Sequence, residues 1–184
     1  MGEDMVFSVR LLWAPSSVWF SLWTRGLEGV SLSFQVLLLG VLVLFLRLVG
    51  HLLMGWALGA ALVESVAHAA LVFGLASVAG VLMVAALRWQ GHSVPERVGQ
   101  VVALLSTSPV VLAGVLVWIP SLNPWRAYML LLALAWGASL MLRGLWELAG
   151  VAPRATLLAA LMGSGLWVLG VSLLTQVLTL VFVT

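Results

Sequence analysis

Four side chains that could do chemistry lie in the most apolar part of the chain: Arg47, His51, Glu64 and His68. Arg47 and His51 are four residues apart, as are Glu64 and His68, so each pair shares one face of a helix. A charge inside a bilayer costs about 3 kcal/mol, and it needs a partner, water or a route to the interface. The spacing predicts a structural ion pair between Arg47 and Glu64, with both histidines as hydrogen-bonding packing residues.

The same residues permit two other interpretations. Neutral imidazole ligates haem and chlorophyll-type pigments, so His51 and His68 would serve as axial ligands if they faced each other. Alternatively, Glu64 and the histidines would line a path for protons or ions. The sequence itself predicts no cofactor, and the haem or pigment interpretation stays an alternative.

No motif indicates catalysis or a metal site. The chain has no cysteine, no phosphate-binding glycine loop, no paired-histidine zinc signature and no nucleophile elbow. His92, Glu96 and Arg97 lie in a polar stretch and are predicted to be solvated. Arg143 and Glu147, four residues apart, are predicted to support their own helix. The sequence therefore predicts a protein that is not an enzyme.

The composition is that of a chain embedded in lipid. Hydrophobic residues make up 64% of 184 positions and charged residues 8%, which leaves too few polar side chains for a water-facing surface. The eight basic residues are scattered arginines, so nucleic acid is not an expected partner. We expect an all-α, polytopic membrane protein, a bundle of about five transmembrane helices with an N-terminal interfacial amphipathic helix.

Five apolar stretches are long enough to cross a bilayer, and together they form one transmembrane domain over residues 31–184. The predicted spans are residues 31–50, 63–87, 101–119, 127–145 and 155–183. The first turn is weakly marked, because the residues between Gly50 and Glu64 are themselves apolar. Pro109 lies inside the third span. Because proline has no N–H, the carbonyl four residues earlier loses its donor, and the helix would kink unless a neighbouring hydroxyl donates to that carbonyl.

Residues 1–30 are predicted to form a cytoplasmic N-terminus with one short helix. Pro15 suits the first position of that helix. Val18, Trp19, Leu22 and Trp23 fall on one face, and tryptophan prefers the headgroup level of a membrane. This pattern predicts a helix that lies in the interface plane, with packing on the chain's own bundle as the alternative.

Arginine positions predict the orientation of the bundle. With the N-terminus inside, six of the eight arginines fall on the cytoplasmic side, and the C-terminus lies outside. The use of arginine without lysine points to a bacterium with a GC-rich genome, and hence to the inner membrane. Tryptophans near the predicted helix ends are expected to be interfacial anchors: Trp13, Trp19, Trp23, Trp89, Trp118, Trp125 and Trp146.

Three segments carry a likeness to a known family: RLLWAPSSVWFSL at 10–22, GHSVPERVGQVVALLSTSP at 91–109 and GLWELAGVAPRA at 144–155. Together with the order of the spans, they resemble the Yip family, the Ypt/Rab-interacting membrane proteins, in its prokaryotic form. The resemblance implies a five-span membrane domain that acts as a scaffold or adaptor.

These observations favour a non-enzymatic membrane scaffold, adaptor or accessory subunit of Yip-like fold, with lipids and other membrane subunits as partners. Two alternatives remain. One is a small transporter or channel that uses the cluster of Arg47, His51, Glu64 and His68. The other is a structural subunit of a larger respiratory or photosynthetic membrane complex.

Overall fold

The computed structural model describes residues 14–25, 27, 32–116 and 124–183, and it assigns no strand among them. Its helices are α1 (Pro15–Arg25), α2 (Leu32–Leu53), α3 (Leu58–Trp89), α4 (Glu96–Ser106), α5 (Ser108–Leu116), α6 (Arg126–Ala149) and α7 (Pro153–Val183). The all-helical prediction is confirmed for this part of the chain. Three helices are long and apolar enough to cross a membrane: Leu58–Trp89, Ala127–Ala149 and Pro153–Leu178.

Helix α3 is the central element of the bundle. It packs against α2, α4 and α7, and buried residues occur at intervals along its length from Ala61 to Leu87. Its 32 residues make it about 48 Å long, which exceeds the hydrocarbon thickness of a bilayer. The helix therefore connects groups near both ends of the bundle.

Two glycines end helices by the same backbone device. Gly55 and Gly91 have φ angles of +82° and +87°, in the left-handed region that favours glycine. The residue that follows each glycine donates its N–H to the carbonyl of the residue five positions earlier in the chain. Trp56 donates to His51 and His92 donates to Leu87, both at 3.0 Å. This arrangement is a Schellman motif, and it places the turn between α2 and α3 at residues 54–57.

The third predicted span differs most from the prediction, because two helices replace one. Helix α4 begins at Glu96, and Thr107 separates it from α5. Pro109 has no N–H for the carbonyl of Leu105, and the Ser108 hydroxyl donates to that carbonyl at 2.7 Å, beside a backbone N–H at the end of α4. The proline therefore breaks the helix where hydroxyl groups replace the missing donor. Residues 117–119 lie outside the described residues.

Close packing of α3 on α4 depends on two glycines. A Cβ atom on Gly80 would lie 2.7 Å from the carbonyl oxygen of Gly99, and a Cβ on Gly99 would meet the Gly80 carbonyl in turn. Real Cβ atoms do not approach backbone this closely, so the two helices touch through their main chains. This contact holds α4 within the bundle, where every residue from Val101 to Pro109 is buried.

Helix α1 packs on α6 of the bundle, which is the alternative that the sequence pattern left open for this helix. Val18, Trp19 and Leu22 are at most 2% exposed. Trp19 fits against Gly144 of α6, where a Cβ atom would lie 2.9 Å from its ring. The indole is therefore buried in protein, because the glycine opens a space for it. Of the four residues on the face that suggested a membrane surface, three are buried, whereas Trp23 is 63% exposed.

Candidate functional site

The structure brings Arg47 and Glu64 together at the end of the bundle that holds the turn between α2 and α3. Arg47 Nη2 lies 2.6 Å from Glu64 Oε1, and Nε lies 3.2 and 3.1 Å from Oε1 and Oε2. The Glu64 side chain is fully buried, whereas 21% of the Arg47 side chain is accessible. The carboxylate therefore has the guanidinium as its counter-charge inside the protein.

His51 is the second partner of the same carboxylate. Its Nε2 lies 2.6 Å from Glu64 Oε2, and since a carboxylate can only accept, Nε2–H is the donor. Arg47 and His51 sit one turn apart on α2, so they hold Glu64 from the same face. The His51 ring packs on Trp56 with ring centroids 4.2 Å apart. Its Nδ1 is buried without a hydrogen bond to any described residue.

His68 lies one turn beyond Glu64 on α3 but has a different partner. Its Nδ1 is 3.2 Å from the hydroxyl of Thr175 on α7. The four predicted residues therefore divide into a carboxylate with two partners and a histidine that joins α3 to α7. All four lie on the two helices that the spacing indicated.

A cavity of about 140 Å³ lies beside this cluster. Arg47 and His68 supply its polar lining, and the rest is aliphatic apart from Trp167. The Trp167 indole N–H donates to the carbonyl of Val72 at 3.0 Å, which fixes that wall. Val110 and Val111, directly after the break between α4 and α5, form another wall. The helix break thus helps to shape the cavity.

This arrangement can hold charge within a largely apolar surrounding and present hydrogen-bond donors to a small space. Among the residues described, no group of three or more histidine, cysteine, aspartate or glutamate side chains could hold a metal ion. Coordination of a haem or pigment by His51 Nε2 would require that atom to leave Glu64. The haem or pigment interpretation stays an alternative to the prediction that no cofactor is bound.

The loop residues form pairs at the surface. Arg88 binds Glu96 at 3.1 Å, and both side chains are at least half exposed. Arg143 Nε lies 3.7 Å from Glu147 Oε1 within α6. Exposed pairs of this kind contribute little to stability.

The predicted tryptophan anchors differ in their surroundings. Trp23, Trp89, Trp125 and Trp146 are exposed, with Trp89 the most accessible at 84%. Trp19 is buried, as described above. Trp13 and Trp118 lie outside the described residues.

Three contributors to the site are missing from the sequence prediction. Trp56 and Thr175 contact the histidines, and Trp167 lines the cavity. Trp56 follows Gly55 and is five residues from His51. A helix that ends at a glycine brings the residue after the glycine back towards the last turn, so Gly55 was the sequence signal for this contact. Thr175 and Trp167 come from the last helix, and no local pattern links them to residues about a hundred positions earlier.

The chain matches no protein-family model, no curated protein and no solved structure in comparisons with each.

Proposed function

We propose that this chain is a non-enzymatic, multi-pass membrane protein that acts as a scaffold, adaptor or accessory subunit. The observation that carries the proposal is the outer face of α7. In the most apolar part of that helix, 22% of the residues are buried within the chain, against 50% for α3. Leu169 and Leu173 are 64% and 62% exposed. Lipid or neighbouring membrane subunits must cover this surface.

Five crossings are part of the proposal. Besides the three long helices, α2 has 22 residues and is about 33 Å long, which matches the hydrocarbon thickness. Helices α4 and α5 together run from Glu96 to Leu116 and would form a fifth, broken crossing. Broken helices are tolerated at membrane depth where protein surrounds them, as it does here. The Yip-like architecture stays part of this proposal.

The proposed orientation places the N-terminus in the cytoplasm of a bacterial inner membrane. One hydrophobic core joins α1, the loop between α3 and α4, and the loop between α6 and α7 at the same end of the bundle. Four arginines flank these two loops: Arg88, Arg97, Arg143 and Arg154. Their clustering at one end supports a cytoplasmic assignment of that end.

Site-specific photo-crosslinking in the native membrane tests the scaffold role. A crosslinker at Leu173 should join the chain to one membrane protein in constant proportion, and gentle-detergent isolation should recover the same protein. A crosslinker at Ala160, which is 4% exposed, is the control and should react only within the chain. If Leu173 reacts with lipid alone and the isolated chain is free of other proteins, the scaffold role is wrong.

A second candidate is transport of protons or ions, favoured by the cavity beside the buried ion pair. Purified chain in liposomes would then carry a flux that Glu64→Gln abolishes. Glu96→Gln removes an exposed carboxylate and should leave that flux unchanged. Liposomes that show no flux above protein-free ones exclude this candidate.

A further inference from the structure

The cavity beside the ion pair has the size of a ligand site. Its volume is about 140 Å³, and α2, α3, α5 and α7 supply its walls. An apolar cavity of about 150 Å³ accommodates a benzene-sized molecule. Most of the lining is aliphatic, with the Trp167 indole on one side. The space therefore fits one small ring or a short apolar segment.

The polar lining restricts the chemistry of such a molecule. Arg47 uses Nε and Nη2 for Glu64, while Nη1 makes no hydrogen bond to a residue that the structure describes. The side chain stays 21% accessible. Because guanidinium nitrogens can only donate, a group bound by Nη1 must be an acceptor. His68 adds a second polar group to the lining.

The charges around the cavity further restrict the class of ligand that it could bind. The Arg47–Glu64 pair carries no net charge, so an anionic ligand would compete with Glu64 for the same guanidinium. A cationic ligand would find the donors of Arg47 and no accessible carboxylate, since Glu64 is fully buried. We propose that the cavity binds a neutral, lipid-soluble ring compound through a carbonyl oxygen, the chemistry of a quinone head group, with Arg47 as the donor.

Three probes with one ring and the same two methyl groups test this assignment: 2,6-dimethyl-1,4-benzoquinone, m-xylene and 3,5-dimethylbenzoate. The chain contains neither cysteine nor lysine side chains to react with the quinone. Quenching of tryptophan fluorescence in the purified full chain would measure quinone binding, and displacement of bound quinone would measure the other two. A hydrogen bond to a charged group predicts that the quinone binds about tenfold more tightly than m-xylene, or better.

Variants locate the site. Val110→Phe fills the cavity and should reduce quinone affinity at least about tenfold, because the ring would occupy the ligand's volume. Val171→Phe, on another wall, is a second blocking variant. Val177→Phe makes the same change at a position that is 54% exposed and should leave binding unchanged.

Each other outcome overturns the proposal. Equal affinity for quinone and m-xylene would show that no donor recognises the carbonyl. Tighter binding of the benzoate would show a site for anions. Quinone quenching that both blocking variants leave intact would place the binding elsewhere or in the detergent. The probe series uses the unmodified chain, so it remains decisive even where a blocking variant does not fold.

Discussion

Substitution of Glu64 by glutamine should destabilise the fold strongly. The change keeps the size of the side chain but removes the negative charge from a fully buried position. Arg47 then keeps its charge without a counter-charge, and the donor of His51 faces an uncharged amide. Loss of one partner from a buried ion pair costs about 3–5 kcal/mol. The accessible fraction of Arg47 lets water relieve part of this cost, so we expect about 3 kcal/mol, or roughly a hundredfold in the unfolding equilibrium.

The same substitution at Glu96 is the matched control. Glu96 pairs with Arg88 at 3.1 Å, but its side chain is 58% exposed, so the pair contributes about 0–1 kcal/mol. Reversible unfolding of both variants in mixed micelles, followed by circular dichroism, gives the two free energies of unfolding. A Glu64→Gln variant that loses no more stability than Glu96→Gln would refute the view that the buried pair fixes α2 on α3.

Three further predictions concern packing and cofactors. Gly80→Ala should lower the free energy of unfolding by at least about 1–3 kcal/mol, because its Cβ would meet the Gly99 carbonyl. Gly74→Ala has open space and should be neutral or slightly stabilising, and thermal unfolding compares the two variants. Ser108→Ala should cost about 0.5–1.5 kcal/mol, since it removes the hydroxyl donor from the Leu105 carbonyl, which keeps a backbone N–H, and Ser139→Ala, at an exposed hydroxyl, serves as its control in the same assay. The chain purified from its native membrane should show no Soret or pigment band, and a stoichiometric band would contradict the prediction of no cofactor.

Short-range patterns gave the helical class and the partners on α2 and α3. On a helix, spacings of four residues place Arg47 with His51 and Glu64 with His68 whatever the tertiary structure, and apolar stretches of about 20 residues predict helices that can span a membrane. The prediction of the ion pair required one further assumption, that a turn brings α2 and α3 side by side. Gly55 forms that turn. Sequence reasoning thus reaches contacts that depend on local geometry and one turn.

Longer-range contacts were beyond such patterns. Trp19 carries the same apolar and amphipathic signal whether it faces lipid or a bundle, and only the space at Gly144 decides between them. The cavity has the same origin, because its walls come from four helices and its size depends on how closely they pack. The break at Thr107 could be predicted in part. Pro109 predicts a kink, but the division into two helices also involves the hydrogen bond from the Ser108 hydroxyl to the Leu105 carbonyl.

Stability alone does not explain a buried ion pair at this position. Replacement of such a pair by apolar residues of similar size is often neutral or stabilising. We therefore expect the double variant Arg47→Met, Glu64→Met to lose less stability than Glu64→Gln, with a cost of about 1–3 kcal/mol because the buried His51 donor loses its acceptor. The double variant also removes the donor that lines the cavity, so it should bind 2,6-dimethyl-1,4-benzoquinone no better than m-xylene. If it is as unstable as Glu64→Gln, the pair serves the fold; if it is stable and has lost this preference, the pair is retained for what the cavity binds.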